Sequence, residues 1–321
     1  MMKNHLHIAL VLIAFAAFSF AAPCTAQTLC SPPERKQLIL TAIDKTGNAI
    51  ENLRAEHLRL TIGGAPANIA DVAFRTHQPM DFAILIDASA SQEKLISTNK
   101  AAARALVKSV AAIGQDRIAV VSFAAEPTYR QLLTTDLAAV NSAIDQVKFE
   151  PPPGYVGGGV VVSRNTPPKT AGMPGSTSLW DAIRVATEKL FDTADEKRRR
   201  VVVLFSDGMD TSSSSKLDLT IDEAVKRGLA VFSIGMADTG MFNLDERPLK
   251  KLSEQTGGVA RFPGIKKEKL EAALTEMALH LRSNYIVGYC GGATADRAKF
   301  QLEVIDPEIR KAKPSLAYKR Y

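Results

Sequence analysis

Residues 82–282 alternate short apolar runs with longer segments in which apolar side chains recur at helical spacing. The runs at 82–86, 201–205 and 229–234 are short and rich in β-branched and aromatic residues, which indicates buried strands. A run at 129–133 fits a hairpin partner at the sheet edge. Strands that alternate with helices predict an α/β fold, with a doubly wound, mostly parallel sheet covered by helices on both faces.

The two flanks of this region have a different pattern, in which apolar and polar residues alternate as they do in half-buried strands. The predicted strands are 37–43, 58–62 and 69–74 before the central region, and 285–289, 299–305 and 316–320 after it. Neither flank has enough strands for a stable sheet of its own. We therefore expect one small, sandwich-like β domain formed by residues 27–79 and 284–321, with an α/β domain of residues 80–283 inserted in it.

The first 26 residues resemble a signal peptide rather than part of the fold. An apolar stretch of residues 8–22 follows a short polar start, and small residues at 24–26 suggest cleavage before Gln27. A lipoprotein would need small residues before Cys24, where Pro23 stands instead. No later segment approaches membrane-spanning length, so the mature chain is expected to be exported, periplasmic or secreted, without stable membrane insertion.

Cysteine content and charge change this picture only slightly. Removing the signal leaves Cys30 and Cys290, an even pair that predicts one disulfide in an oxidising compartment, with two separate buried thiols as the alternative. The net charge is +6 over 321 residues and becomes +5 without Lys3. The basic run at 197–200 has few aromatic residues near it, so we expect a solvated loop and strand edge and no nucleic-acid partner.

Oxygen-bearing side chains stand where the predicted strands end. Asp87, Ser89 and Ser91 follow the run at 82–86, and Asp207 follows the run at 201–205. Thr177 lies between them, directly before a helical pattern. Asp and Ser often cap helices, so the first motif alone favours a cap. The three elements together favour a hard cation held by oxygen ligands in the crevice at the carboxyl ends of the strands.

These motifs resemble the von Willebrand factor A (VWA) domain family. Asp87, Ser89 and Ser91 are similar to its D-x-S-x-S element, Thr177 to its loop threonine and Asp207 to its last aspartate. The resemblance covers about two-thirds of the chain and implies a metal-ion-dependent adhesion site (MIDAS) that holds Mg²⁺, or Mn²⁺ or Ca²⁺ in its place. It further implies that a protein partner presents an Asp or Glu carboxylate to the ion. The flanks look similar to secreted bacterial VWA-related proteins.

Enzymatic functions have less support in the sequence. There is no H-E-x-x-H or G-x-S-x-G motif. A metal-dependent phosphatase with Asp87 as nucleophile is the best enzymatic alternative, but Ser89 stands where that chemistry needs a second Asp. A structural envelope module with a vestigial site is a third possibility. We therefore expect a protein-binding module that is not an enzyme, of unknown oligomeric state.

Three further features have local interpretations. Trp180 lies at helical spacing with apolar neighbours and is expected in the core. Asp210 is expected to be a solvated turn residue, with orientation of its loop as the alternative. The loop at 150–176, rich in Gly and Pro, is expected near the metal face, as either a partner-binding or a mobile segment.

Overall fold

The computed structural model describes ten segments of the chain. These are residues 35–45, 48–75, 78–112, 114–151, 155–157, 160–161, 177–191, 198–238, 244–290 and 300–320. Residues 1–34, which contain the predicted signal peptide, lie outside them. In the described segments, no helix is both long and apolar enough to cross a membrane.

A six-stranded sheet forms the centre of the molecule. Its strands are β5 (Met80–Asp87), β6 (Arg117–Phe123), β7 (Pro127–Thr134), β10 (Arg199–Ser206), β11 (Leu229–Gly235) and β12 (Ala260–Arg261). Their order is β12-β11-β10-β5-β6-β7, and only the edge strand β7 is antiparallel. Every residue of β5 and β10 is buried, as expected for strands covered on both faces. The predicted parallel sheet and hairpin edge are confirmed.

In the described segments, six helices cover this sheet, three on each face. They are α1 (Ile96–Val110), α2 (Leu137–Gln146), α3 (Leu179–Leu190), α4 (Leu217–Lys226), α5 (Glu246–Thr256) and α6 (Lys267–Arg282). Helices α1, α2 and α6 share one apolar core with the sheet, and α3, α4 and α5 share the other. Trp180 packs in the second core with 7% of its surface exposed, as predicted.

The flanking strands form two antiparallel sheets, each built from both flanks. The larger contains β1 (Arg35–Ile43), β4 (Ile69–Arg75), β13 (Asn284–Cys290) and β15 (Ser315–Arg320), and the smaller contains β2 (Leu58–Ile62), β3 (Ala65–Ala67) and β14 (Phe300–Val304). Leu38, Leu60, Tyr285 and Leu302 belong to one apolar core between the sheets. This arrangement agrees with the predicted sandwich, although the sequence pattern missed β3 and the short helix α7 (Pro307–Lys311).

A two-stranded ribbon, β8 (Tyr155–Gly157) with β9 (Val160–Val161), is not hydrogen-bonded into these sheets. The exact domain boundaries stay a prediction.

The basic run is not the solvated segment that its charge suggests. Arg199 is only 1% exposed, and its guanidinium Nη1 donates to the carbonyls of His280 at 3.2 Å and Leu281 at 2.6 Å. Arg198 donates from Nε to Asp81 Oδ1 at 2.6 Å. The prediction of a solvated loop is therefore wrong for residues 198–200, because these arginines satisfy backbone carbonyls and a buried carboxylate at the start of β10.

Only part of the predicted disulfide can be described. Cys290 ends β13, its backbone N–H donates to Asn68 O at 2.9 Å, and its sulfur is in a disulfide. Cys30 lies outside the described residues. The pairing of Cys290 with Cys30 therefore stays a prediction.

Candidate metal centre

The candidate site forms where two central strands end side by side. Strands β5 and β10 are parallel neighbours, with Ile86 opposite Phe205. Asp87 is the last residue of β5 and Asp207 directly follows β10, so both carboxylates lie at the same sheet edge. Both residues are fully buried. The register of the sheet thus brings together two acidic residues that are 120 positions apart in the sequence.

The carboxylate of Asp87 is held by two donors. Its Oδ1 accepts from the Ser89 N–H at 3.0 Å, and its Oδ2 accepts from the Ser206 hydroxyl at 2.6 Å. Burial is the largest influence on this carboxyl and, together with the neighbouring Asp207 charge, raises its pKa to about 7. The sequence places Ser206 at the end of this strand but does not predict its bond to Asp87, because nothing local shows that its hydroxyl meets the adjacent strand.

Asp207 is held in a similar way from a different direction. Its Oδ1 accepts from the Met209 N–H at 3.0 Å, and its Oδ2 accepts from the Gln92 side-chain amide at 3.0 Å. Burial raises the pKa of Asp207, and the bonds from Ser91, Met209 and Gln92 offset this only in part. In the described part of the chain, no Lys, Arg or His forms an ion pair with Asp87 or Asp207.

The two serines of the first motif complete the inner part of the site. The hydroxyls of Ser89 and Ser91 lie 3.2 Å apart, which is hydrogen-bonding distance. Ser89 is 1% exposed and starts the short 3-10 helix Ala90–Gln92. The structure therefore links Asp87, Ser89, Ser91 and Asp207 through direct side-chain or backbone hydrogen bonds.

Thr177 reaches this site through the backbone. Its N–H donates to the Thr211 hydroxyl at 2.8 Å, and its carbonyl accepts from the N–H groups of Thr211 at 2.8 Å and Ser212 at 3.1 Å. These bonds attach Thr177 to the loop that follows Asp207. Among the described residues, no hydrogen bond joins the Thr177 hydroxyl to the other four predicted ligands. The role of all five side chains as metal ligands stays a prediction.

Asp210 organises this loop rather than facing solvent as a simple turn residue. Its Oδ1 accepts from the Leu179 N–H at 2.9 Å and from the Ser213 hydroxyl. Ser213 in turn accepts from the Trp180 and Asp181 N–H groups at 3.0 and 3.2 Å. The loop after Asp207 therefore caps α3, whose own N-cap residue makes no side-chain cap. The prediction of a solvated Asp210 is wrong, because its carboxylate accepts bonds from Leu179, 31 residues earlier in the chain, and from Ser213 in its own loop.

Gly208 fixes the backbone between Asp207 and Met209. Its φ of +80° is a left-handed conformation that favours glycine. A Cβ at this position would lie 2.3 Å from the backbone oxygen of Asp245 and 2.9 Å from Leu249 Cγ. Asp245 also donates its N–H to Asp207 O at 2.9 Å. Backbone geometry on both sides therefore helps to fix the position of Asp207.

The donor set fits a hard divalent cation. Two carboxylates and nearby hydroxyls offer oxygen atoms, the ligands that Mg²⁺, Mn²⁺ and Ca²⁺ prefer. In the described segments, no group of three or more His, Cys, Asp or Glu side chains is arranged to hold a metal ion. The candidate site is consistent with that finding because it has only two such side chains and otherwise consists of hydroxyls. A divalent cation would neutralise two buried like charges for which no cationic partner is found among the described residues.

One end of the predicted 150–176 loop is close to the first motif. The Tyr155 hydroxyl donates to the Glu93 carboxylate, and its ring packs edge-on against Phe149 with centroids 5.2 Å apart. Val156 is 67% exposed. Residues 152–154, 158–159 and 162–176 lie outside the described residues, so neither the partner-binding nor the mobile interpretation of the loop is tested.

Comparisons with known proteins agree with this fold. Two family models, both described as von Willebrand factor type A domain, match residues 82–209 and 169–276. Proximal thread matrix protein 1 from the mussel byssus, in a structure with a zinc-occupied MIDAS motif, is 17% identical with a TM-score of 0.51. That alignment covers 69% of this chain and 50% of the mussel chain.

Two bacterial structures are also similar. A von Willebrand factor type A protein from Catenulispora acidiphila is 15% identical over 77% of this chain and 50% of its own, with a TM-score of 0.48. The conserved hypothetical protein BatB from Bacteroides thetaiotaomicron is 15% identical over 63% of this chain and 98% of its own, with a TM-score of 0.46. A comparison with curated proteins found no match. The family models and the parallel sheet with its six helices identify this chain as a von Willebrand factor type A domain protein.

Proposed function

We propose that this chain is an exported protein-binding module that is not an enzyme and that binds its partner through a divalent cation. The ligands of the cation are Asp87, Ser89, Ser91, Thr177 and Asp207. The observation that carries the proposal is the pair of buried carboxylates, Asp87 and Asp207, with no cationic partner among the described residues.

Electrostatics supports this assignment. Two carboxylates buried at one sheet edge repel each other, and burial removes the water that would stabilise their charges. A bound divalent cation supplies positive charge at this edge and a coordination position that a partner carboxylate can occupy. Three neutral hydroxyls and two carboxylates do not fill the shell of an octahedral cation without water or an outside ligand. The partner is therefore expected to be a protein that presents an Asp or Glu side chain.

The donor atoms support a choice among cations. The set contains only oxygen, which favours Mg²⁺, with Mn²⁺ and Ca²⁺ as alternatives. Zinc occupies the MIDAS motif of the mussel protein. In this chain we expect zinc to be a weaker choice, because structural zinc sites usually contain nitrogen or sulfur ligands.

Export is supported by two independent features of the chain. Residues 8–22 have the apolar character and length of a signal-peptide core. Cys290 is in a disulfide, a bond that persists mainly in oxidising compartments outside the cytosol. We therefore place the mature protein in the periplasm or outside the cell.

Titration calorimetry with Mg²⁺ on the full chain tests the site. We expect the wild type to bind Mg²⁺ and Asp87→Asn to lose binding while remaining folded. Thermal unfolding should show about 2.7 kcal/mol of stabilisation at a Mg²⁺ concentration 100 times the dissociation constant. Asp136→Asn is a matched control, because Asp136 caps α2 and Asn caps a helix equally well. Equal Mg²⁺ affinity in the wild type and Asp87→Asn would contradict the site.

A binding experiment tests the partner class. Immobilised protein should retain a partner from envelope or extracellular fractions with Mg²⁺ and release it with chelator, whereas Asp207→Asn should retain none. Converting partner carboxylates to amides with a carbodiimide and an added amine should remove binding. Metal-dependent turnover of an aryl phosphate that disappears in Asp87→Asn would contradict the module and favour the phosphatase.

A further inference from the structure

Gln92 directly follows the last serine of the first motif and is fully buried. Its side-chain Nε2 donates to Asp207 Oδ2 at 3.0 Å and to the Met236 carbonyl at 3.4 Å. The Met236 carbonyl can only accept, and so does the ionised Asp207 carboxylate, so the NH₂ side of the amide faces them. The chemistry of its neighbours therefore sets the orientation of the Gln92 amide.

The other side of this amide contacts Asn99 on α1. Gln92 Oε1 accepts from Asn99 Nδ2 at 3.0 Å, and Asn99 is also fully buried. In the described part of the chain, the remaining side-chain atom, Asn99 Oδ1, has no hydrogen-bond partner. A buried, unpaired acceptor costs about 1–3 kcal/mol. The same Asn99 side chain supplies the donor that holds Gln92.

We infer that Gln92, supported by Asn99, is a positioning residue that fixes the Asp207 carboxylate for the divalent cation. The inference rests on the proposed function of the site. The Met209 N–H holds Oδ1 and Gln92 holds Oδ2, so the carboxylate has a donor on each oxygen and cannot rotate freely. Gln92 contacts a proposed ligand rather than acting as one.

This restraint has a consequence for the choice of ion. A carboxylate that accepts bonds on both oxygens, with Ser91 as a third donor, is poorly placed to present both oxygens to a single ion. Mg²⁺ is small and octahedral and is held by few carboxylates together with water, whereas Ca²⁺ readily takes bidentate carboxylates and six to eight ligands. Gln92 is therefore expected to favour Mg²⁺ over Ca²⁺, beyond any general contribution to folding.

Gln92→Met tests this role, because Met has a similar length and no N–H donor. Mg²⁺ and Ca²⁺ affinities are measured by calorimetry on the full chain. We expect Mg²⁺ affinity to fall by roughly 10- to 100-fold, as is usual for groups that orient a metal ligand. Ca²⁺ affinity should fall less, so the ratio of the two affinities should drop. If Gln92 only stabilised the fold, its replacement would leave the ratio of Mg²⁺ to Ca²⁺ affinity unchanged.

Ser253→Ala is the matched control. It removes the buried hydrogen bond between the hydroxyls of Ser233 and Ser253, 3.0 Å apart, between β11 and α5 in the same domain. We expect a comparable loss of thermal stability with both ion affinities unchanged. An effect on the affinity ratio as large as that of Gln92→Met would overturn the inference.

A second variant keeps the test decisive if Gln92→Met does not fold. Asn99→Leu leaves the Gln92 amide in place but removes the donor that holds it, so Mg²⁺ affinity should fall by about 2- to 10-fold. An unchanged Mg²⁺ affinity and an unchanged ratio in the variants would overturn the positioning role alone. A wild-type protein that binds neither ion would overturn the proposed function and this inference together.

Discussion

The two ends of the central sheet differ in the groups that contact their buried carboxylates, and strand β5 has one aspartate near each end. At its amino end, the Asp81 side chain is 3% exposed and accepts bonds from Arg117 and Arg198. At its carboxyl end, Asp87 is fully buried and accepts only from Ser89 and Ser206 among the described residues. The six-residue step between these two positions separates them by about 20 Å.

The difference is visible in the protonation behaviour of the two groups. Burial alone would raise the pKa of Asp81, but the guanidinium groups of Arg117 and Arg198 outweigh it and lower that pKa. Burial and the charge of Asp207 raise the pKa of Asp87 to about 7. Asp81 is matched by two arginines and belongs to the scaffold, whereas Asp87 has no such partner among the described residues, which agrees with the cation site that we propose.

The amino end also carries the connection to the β-rich flanks. Asp116 accepts from the Met80 N–H at 2.9 Å and from the Arg282 guanidinium. Arg282 also donates to the carbonyls of Val110 at 2.6 Å and Gln78 at 3.4 Å. The segments where the chain enters and leaves the α/β region are therefore joined by the Asp116–Arg282 ion pair. This pair lies at the opposite end of the sheet from the candidate metal centre.

The largest effect is expected from exchanging one aspartate at each end of β5. Asp81→Asn leaves two arginines without their carboxylate and should lower the free energy of unfolding by roughly 3 kcal/mol. Asp87→Asn removes a repulsive charge and should cost less than about 1 kcal/mol in metal-free protein. Urea unfolding of both variants in chelator measures the contrast. Similar losses in the two variants would contradict the proposed difference between Asp81 and Asp87.

The difference in stability between the wild type and Asp81→Asn should disappear at low pH. The pKa of Asp81 is lowered in the folded protein, so its stabilising contribution is present above the ordinary value of 3.8. It is lost as the pH falls below 3.8 towards the folded-state pKa. Melting temperatures measured from about pH 6 to about pH 2 should therefore converge in acid. A constant gap across that range would show that the Asp81 charge is not the cause.

The smallest effect concerns the backbone at the metal end. Gly208→Ala and Gly264→Ala both place a side chain at positive φ, at +80° and +65°, which costs about 1 kcal/mol. Only the methyl group added at Gly208 also meets the Asp245 oxygen, whereas the space around Gly264 is open. We expect Gly208→Ala to cost about 1 kcal/mol more by urea unfolding and to weaken Mg²⁺ binding. Equal costs would indicate that the loop adapts easily.

Much of the fold and the inner site was accessible from the sequence. Continuous apolar runs predicted β5 and β10, because a strand covered on both faces needs apolar side chains along its whole length. The positions of Asp87, Ser89 and Asp207 followed from the ends of those runs. Helical spacing likewise placed Trp180 in the core. Each of these conclusions depends on short-range patterns, within a few turns of helix or one strand.

The contacts between distant polar groups depend on the tertiary structure. Gln92 and Asp207 are 115 positions apart, and Arg198 and Asp81 are 117 apart. Asp210 caps α3 from 31 positions away. Residue type and spacing carry no local signal for such pairs, because sheet register and loop packing bring them together. Apolar runs therefore predict the strands and the two aspartates at their ends, whereas sheet register and loop packing determine which buried aspartate pairs with an arginine.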